Sequence, residues 1–150
     1  MSDSDDELRA ASTIELVDWP HQSVPAALDR AGFLVVGHEP DSIKRYRVED
    51  AEASGDGCRS FPLDDGGFLV SRDIPGLPES IDVVCTYRPA DEQPAIARDA
   101  IANGAKLLWI EPGESSSDEA RDLALQSGVA FVDGESIAAA VERLGIRRPG

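Results

Sequence analysis

Two predominantly apolar segments in the second half of the chain constrain the fold more than any other feature of the sequence. One spans residues 81–86 and the other spans residues 106–110, and valine, isoleucine and leucine dominate them. Such runs are typical of parallel strands that are buried on both faces of a sheet. Residues 90–103 between them have apolar side chains at helical spacing and are followed by Gly104, which favours a helix with a glycine stop. The segment predicts a strand, a helix and a second, parallel strand.

The first half of the chain repeats this alternation. Residues 13–17 form a short β-branched segment that Pro20 brings to an end. Residues 24–31 have helical spacing with Ser23 as the predicted cap, and residues 33–36 are again continuously apolar. Another strand and two helices follow towards the C-terminus. The sequence therefore predicts the α/β class: a Rossmann-like, doubly wound, mainly parallel five-stranded sheet with helices on both faces.

Residues 41–78 give a weaker pattern. Segments 46–48 and 67–71 alternate between apolar and polar residues, and turn-forming segments rich in glycine, serine and aspartate accompany them. A parallel sheet of this type often has another crossover helix at this position. The alternation predicts instead a small β-hairpin insertion at the edge of the sheet.

Length and composition suggest the domain boundaries. A chain of 150 residues matches the usual size of one domain. Residues 1–11 are rich in acids and poor in apolar side chains, so a disordered acidic N-terminus is predicted there. Residues 12–145 are predicted to form the folded domain, and residues 146–150 a tail.

The chain is strongly acidic, with 29 Asp and Glu residues against 14 Lys and Arg residues and a formal net charge of −15. This balance argues against a nucleic-acid partner, because a phosphate backbone requires clustered basic side chains. Two explanations of the acidity are open. The protein is adapted to a salt-rich cytoplasm, or a GC-rich genome encodes a well-hydrated acidic surface. Stability that rises with molar salt would favour the first explanation.

Other classes of protein lack support in the sequence. No segment is long and apolar enough for a membrane span and no secretory leader pattern is present, so we expect a cytoplasmic protein without a membrane partner. Cys58 and Cys85 lack the spacing of a redox or zinc motif, so neither a disulfide nor a metal site is expected. His21 and His38 belong to no catalytic motif, and no catalytic residue is predicted.

Ligands of such sheets bind beyond the carboxyl ends of the strands. The turn after the first strand would need glycine to hold a pyrophosphate against the following helix, but residues 18–23 contain none. Glu39 lies where an acid would hold the ribose of NAD, although an exposed loop carboxylate is the better explanation. Arg88 follows the third core strand and could bind phosphate bidentately or pair with Asp91 or Glu92. The sequence leaves both roles of Arg88 open.

Short motifs between residues 81 and 133 carry a family resemblance. They are residues 81–84 leading to Tyr87-Arg88-Pro89, Pro94, residues 100–106 leading to residues 108–113, and the later Glu119-Ala120, Ala124, Ser127-Gly128-Val129 and Phe131-Val132-Asp133. In these motifs the chain resembles the CoA-binding domain family, Rossmann-type proteins related to the CoA-binding domain of succinyl-CoA synthetase. The order of elements over residues 13–144 is similar to that of the same family.

The resemblance implies that CoA lies across the strand ends of a domain without catalytic residues of its own. It matches Tyr87, Arg88 and Pro89 to the loop after the third core strand, and Trp109, Ile110 and Glu111 to the loop after the fourth. The family usually has glutamine at the position of Glu111 and a glycine-serine turn at residues 19–21. The candidate cofactor-binding residues are Pro20, Ser23, His38, Pro40, Tyr87, Arg88, Pro89, Trp109 and Glu111.

Two functions of different classes follow from the sequence. The first is a non-catalytic protein that binds CoA or a related adenine nucleotide, which the resemblance and Arg88 favour. The second is a degenerate Rossmann domain that has lost its ligand and acts as a protein-interaction or regulatory module, which the missing glycine turn favours. A NAD-dependent oxidoreductase lacks both the turn and a catalytic base. The oligomeric state and any partner protein are left open.

Overall fold

The computed structural model describes residues 3–39 and 42–147, and within them the chain forms five α-helices and eight β-strands. The helices are α1 (Asp3–Ala10), α2 (Ser23–Arg30), α3 (Gln93–Ala102), α4 (Asp118–Gln126) and α5 (Ile137–Leu144). The strands are β1 (Thr13–Val17), β2 (Leu34–Glu39), β3 (Ser42–Glu49), β4 (Cys58–Pro62), β5 (Phe68–Ile74), β6 (Val83–Thr86), β7 (Leu107–Ile110) and β8 (Ala130–Val132). A single 3₁₀ turn (Ala90–Glu92) precedes α3.

All eight strands belong to one sheet in the order β4-β5-β3-β2-β1-β6-β7-β8. Five neighbouring strands in this order, β2, β1, β6, β7 and β8, are parallel to one another, which confirms the predicted five-stranded parallel core. The predicted hairpin is wrong in size, because β3, β5 and β4 add three antiparallel strands to the β2 edge of this sheet. Strand β3 is paired with β5 from Ile43 opposite Ile74 to Glu49 opposite Phe68. This long pairing extends well beyond the two alternating segments visible in the sequence.

Helices cover both faces of the parallel core, as predicted. On one face Leu8 of α1, Leu28 of α2 and Ile137 of α5 pack in a cluster with alternate strand residues such as Leu16 and Trp109. On the other face the buried helix residues are alanines, with Ala97 and Ala100 from α3 and Ala120 and Ala124 from α4. The small side chains allow these two helices to lie close to the strands. The fold is doubly wound.

The N-terminus differs from the prediction of a disordered acidic segment. Residues Asp3–Ala10 form α1, and Leu8 is fully buried against the core. Burial of a leucine side chain contributes about 1.5–3 kcal/mol, which offsets part of the entropy lost on ordering a short helix. The carboxylate of Asp5 also pairs with Arg143 of α5 at 3.2 Å. Of the predicted tail, Ile146 packs against the core, and residues 148–150 lie outside the described residues.

The described part of the connection from β2 to β6 contains no helix, because β3, β4 and β5 take its place. A helix in this connection would cover β1 and β2 on the face that holds α3. The antiparallel strands instead continue the sheet sideways. Among the described residues, α3 and Leu77 of the loop after β5 border the cavity that is left over the central strands.

Strand β1 lies at the switch point of the sheet. The chain passes from β1 to β2 on one side of it and later returns to β6 on the other side. The loops that leave β1 and β6 therefore start next to each other, and the backbone N–H of Tyr87 donates to the carbonyl of Val17 at 3.1 Å. In open α/β sheets this crevice is the usual place for a ligand. Among the described residues, no helix is long and apolar enough to span a bilayer.

Gly37 provides a test of the packing at the β2 edge. A Cβ at this position would lie 2.9 Å from Cε2 of Tyr46 and 3.1 Å from the carbonyl oxygen of Leu16. Since Tyr46 is buried, we expect Gly37→Ala to displace its ring and to lower the free energy of unfolding by about 1–3 kcal/mol, as overpacking usually does. Denaturant titration measures the effect. Gly76→Ala is the matched control, because a Cβ there meets no atom within 4 Å.

Candidate functional site

The loop after β1 is held in one conformation by its own side chains. Asp18 has a left-handed backbone with φ 69°, which aspartate tolerates better than most residues, and its Oδ1 accepts the N–H of Trp19 at 2.9 Å. The indole N–H of Trp19 donates to Gln22 at 3.1 Å. The ring of Trp19 meets Tyr46 edge to face, with the centroids 4.9 Å apart. A bulky, fixed loop therefore occupies the position of a flexible glycine turn.

The N-terminus of α2 has its backbone N–H groups satisfied from within this loop. The N–H of Ser23 donates to Nδ1 of His21 at 3.0 Å, and the N–H of Val24 donates to the carbonyl of His21 at 3.1 Å. Pro25 has no N–H, and Ala26 donates to the carbonyl of Gln22 at 3.2 Å. Such N–H groups would otherwise bind a phosphate. In this structure a phosphate would compete with bonds that already exist.

Ser23 does not cap α2 as predicted. Gln22 is the cap residue, and Ser23 is the first residue of the helix. The Ser23 hydroxyl lies 2.9 Å from Nδ1 of His21, so it is drawn back into the loop. Both side chains are exposed at the carboxyl end of the sheet, as is Pro20 between them and β1.

Arg88 spans the switch point. Its Nη1 donates to Asp18 at 3.1 Å on the β1 side, while its Nε and Nη2 donate to Glu92 at 3.1 Å and 2.7 Å. These carboxylates raise the pKa of Arg88 above its ordinary value, and hydrogen bonding to Arg88 lowers the pKa of Glu92. Of the two roles that the sequence left open, the salt bridge with Glu92 is observed. The side chain keeps 39% of its surface exposed, so it is within reach of a ligand.

Gln93 ties the loop after β6 to the loop after β7. This side chain is fully buried, and its amide nitrogen donates to the carbonyls of Arg88 at 3.0 Å and Ser115 at 2.8 Å. Its oxygen accepts the N–H of Ser117 at 2.8 Å. The sequence contains no signal for the role of Gln93, because a glutamine at the start of a helix gives no indication of burial. Its role is to fix the backbone that carries Tyr87, Arg88 and Pro89.

Tyr87 and Pro89 complete this wall of the crevice. The ring of Tyr87 lies against the loop after β7, where a Cβ at Gly113 would come within 3.0 Å of it. Gly113 also has a φ of 108°, so only glycine suits this position. Pro89 is partly exposed and starts the 3₁₀ turn that carries Glu92. The structure thus brings the candidates Tyr87, Arg88 and Pro89 together.

Trp109 and Glu111 do not face this crevice, contrary to the prediction. Trp109 is only 1% exposed, and its indole N–H donates to the carbonyl of Glu135 at 2.7 Å. Glu111 is fully buried, and its Oε1 accepts the N–H of Ile137 at 3.1 Å at the start of α5. Both side chains point to the face of the sheet that α5 covers. They position α5 and are not exposed to a ligand.

The carboxyl of Glu111 is electrostatically unusual. Its Oε2 is buried and has no hydrogen-bond partner among the described residues. Burial raises the pKa of Glu111, and the bonds from Ile137 and Ser136 oppose that rise only in part. The thiol of Cys85 lies 3.9 Å away, and its own pKa is well above the ordinary value because of burial and the neighbouring Glu111.

The remaining candidates are His38 and Pro40. His38 is exposed near the end of β2 and lines a cavity with Glu15 and Asp99 on the face that holds α3. Pro40 lies outside the described residues. The described candidates therefore lie in three places. Trp109 and Glu111 are buried under α5, and His38 lies on the α3 face. The others line the crevice after β1 and β6: Pro20, Ser23, Tyr87, Arg88 and Pro89.

Glu111 makes stability depend on pH in a defined direction. Since its pKa is raised above 4.5 in the folded protein, the folded state holds this proton more tightly than the unfolded state. The carboxyl therefore costs stability increasingly as pH rises from 4.5 through the folded pKa. Glu111→Gln keeps an acceptor for Ile137 and cannot ionise. We expect the stability of this variant relative to the wild type to increase as the pH rises from 4.5 to neutral.

Denaturant titrations across this pH range would measure the difference. Glu52→Gln is the control for loss of one negative charge, because Glu52 is exposed in a loop. A difference between Glu111→Gln and the wild type that stays constant across this pH range would show that burial of the Glu111 carboxyl carries no penalty.

Comparison with known structures agrees with the fold. A protein of Thermus thermophilus described as cell-free ID.343 has a similar structure, with 18% identity, a TM-score of 0.60, and coverage of 93% of this chain and 94% of the other. A hypothetical protein from Pyrococcus horikoshii has 19% identity and a TM-score of 0.60, with coverage of 93% of this chain and 91% of the other. Prb, a protein redesigned for binding, has 18% identity and a TM-score of 0.63, with coverage of 96% of this chain and 94% of the other. At this identity the likeness shows a shared fold.

The family model described as a CoA binding domain matches residues 66–142. The matched region runs from the turn before β5 to α5 and includes Tyr87, Arg88 and Pro89 as well as Trp109 and Glu111. It covers half of the chain, so the resemblance found in the sequence is confirmed. This chain belongs to the CoA-binding domain family.

Proposed function

We propose that this protein binds CoA, or a related adenine nucleotide, in the crevice after β1 and β6 and has no catalytic activity of its own. The observation that carries the proposal is the position of Arg88. It is a guanidinium at the switch point, partly exposed, inside the region that matches the family. Phosphate groups accept two parallel hydrogen bonds from arginine, which makes this side chain the natural anchor for the ligand.

Binding requires Arg88 to exchange partners. It now bonds Asp18 and Glu92, whose side chains are 48% and 46% exposed. Exposed ion pairs of this kind contribute about 0–1 kcal/mol each, so a diphosphate can replace one of them at small cost. Glu92 keeps the guanidinium oriented if Asp18 is the partner that leaves. In this proposal Asp18 closes the empty crevice and competes with the ligand.

The other crevice residues supply shape and polar contacts. Tyr87 and Pro89 present partly exposed rings beside Arg88, while Pro20 and the Ser23 hydroxyl lie on the β1 side. The net charge of −15 repels a polyanion over long distances. Salt screens this repulsion more than it weakens the short contact with Arg88. Affinity should therefore persist, or rise, between physiological and molar salt.

Calorimetry and thermal shift with CoA, acetyl-CoA, NAD and ATP test the proposal. We expect Arg88→Ala to weaken CoA binding by about tenfold or more, the usual loss for a charge-assisted contact. Arg98→Ala is the matched control, because Arg98 is an exposed arginine on α3 that pairs with Glu119 at 3.2 Å. Asp18→Asn should strengthen binding, since it removes the competing charge and asparagine tolerates the left-handed backbone.

The alternative is a protein-interaction or regulatory module without a ligand. It is favoured by the N-terminus of α2, whose N–H groups are already bonded, and by the indole of Trp19 in the place of a glycine turn. If neither the wild type nor Asp18→Asn binds any of the four nucleotides at millimolar concentration, in physiological and in molar salt, the CoA proposal fails. A nucleotide retained in native mass spectrometry would count against the alternative.

A further inference from the structure

A cavity of about 360 Å³ lies on the α3 face of the central strands, away from the crevice after β1 and β6. It is bounded by β1, β2 and β6 below and by α3 and Leu77 above. The cavity exists because the antiparallel strands replace the helix that would otherwise cover this face. Its volume lies at the lower end of the range of small-molecule sites, which is about 300–1,000 Å³.

Glu15 is the unusual residue of this cavity. It occupies the middle of the central strand β1 and is only 6% exposed, between Ile14 and Leu16, which point to the opposite face. Its carboxylate has no hydrogen bond or ion pair with a described residue, whereas Oε1 of Glu111 on the other face of the sheet accepts the N–H of Ile137. A carboxylate in such a position is strongly destabilising when it is charged and unpaired. Its position calls for a partner inside the cavity.

The rest of the lining defines the chemistry of that partner. Asp99 of α3 adds a second carboxylate, and His38 of β2 lies on another side. Burial raises the pKa of Glu15, the nearby His38 opposes that rise, and Asp99 reinforces it. Val17 and Ile96 supply apolar walls between these polar groups. An anion would be repelled by the two carboxylates, whereas a cation with an apolar body would satisfy both kinds of surface.

We propose that this cavity binds a small organic cation, an ammonium or guanidinium group on a short apolar chain, with Glu15 as its counter-ion. The cationic group pairs with Glu15 at the floor of the cavity, and Asp99 adds to the attraction from the side of α3. The chain of the ligand packs against Val17 and Ile96. A metal ion does not fit, because the described residues form no group of three or more ligating side chains with metal-site geometry.

Isothermal calorimetry and thermal shift with n-butylammonium and agmatine test the inference, with 1-butanol as the uncharged comparison. We expect both cations to bind and to raise the melting temperature, while the alcohol does neither at the same concentration. Ionic strength must be matched, because a chain with a net charge of −15 attracts cations over its whole surface. Glu15→Gln should weaken binding by about tenfold or more. Glu52→Gln, which removes an exposed acid, should leave binding unchanged.

A second variant, Asp99→Asn, tests the inference even if Glu15→Gln fails to fold. Asp99 is exposed on α3, so Asp99→Asn should fold normally and weaken binding by a smaller factor. Circular dichroism verifies the fold of each variant. Absence of binding by both cations at millimolar concentration, or equal binding by the wild type and Glu15→Gln, would overturn the inference. CoA binding does not enter these measurements, so the two proposals can fail separately.

Discussion

The pairing of β1 with β2 on one side and β6 on the other is the constraint on which the rest of the structure depends. It places β1 in the middle of the sheet, so that its residues are covered on both faces, and it brings the loops after β1 and β6 side by side. The crevice, the bridge from Arg88 to Asp18 and the cavity above Glu15 all lie against this one strand. Changes in β1 register would disrupt all of them, because a shift by one residue exchanges the two faces.

Two buried carboxylates show how the faces of the sheet differ. Glu111 lies under α5 and receives the N–H of Ile137, so the positive end of a helix partly stabilises its charge. Glu15 lies on the α3 face, with a cavity in place of a helix end and with no described hydrogen-bond partner. Burial raises the pKa of both groups. The first carboxylate has a structural role in the fold, whereas the second has the features of a binding site.

The crevice lies where ligands usually bind in such sheets, but the residues after β1 are unusual for a phosphate site. Parallel topology provides the position, and residues 66–142 match the model of a CoA binding domain. The loop after β1 nevertheless has Asp18, Trp19 and His21 in place of a glycine turn. Asp18 accepts hydrogen bonds from the N–H of Trp19 and from Arg88, and His21 accepts the N–H of Ser23. Under the proposed function a ligand displaces only the exposed ion pair between Asp18 and Arg88. The acidic surface then weakens the long-range attraction of an anionic ligand more than it weakens the short contact of that ligand with Arg88.

The sequence by itself determined the parallel core and the family. Continuous apolar runs such as residues 107–110 require burial on both faces, and helical spacing between them leaves a doubly wound sheet as the consistent solution. Only the tertiary structure decided the size of the antiparallel extension, the docking of α1 through Leu8, and the burial of Trp109, Glu111 and Gln93. Local sequence patterns specify which face of an element is apolar, but the partner of each side chain depends on elements that are distant in sequence. For the same reason the sequence shows the position of Arg88 after a strand, whereas its contact with Asp18, 70 residues earlier, depends on the folded chain.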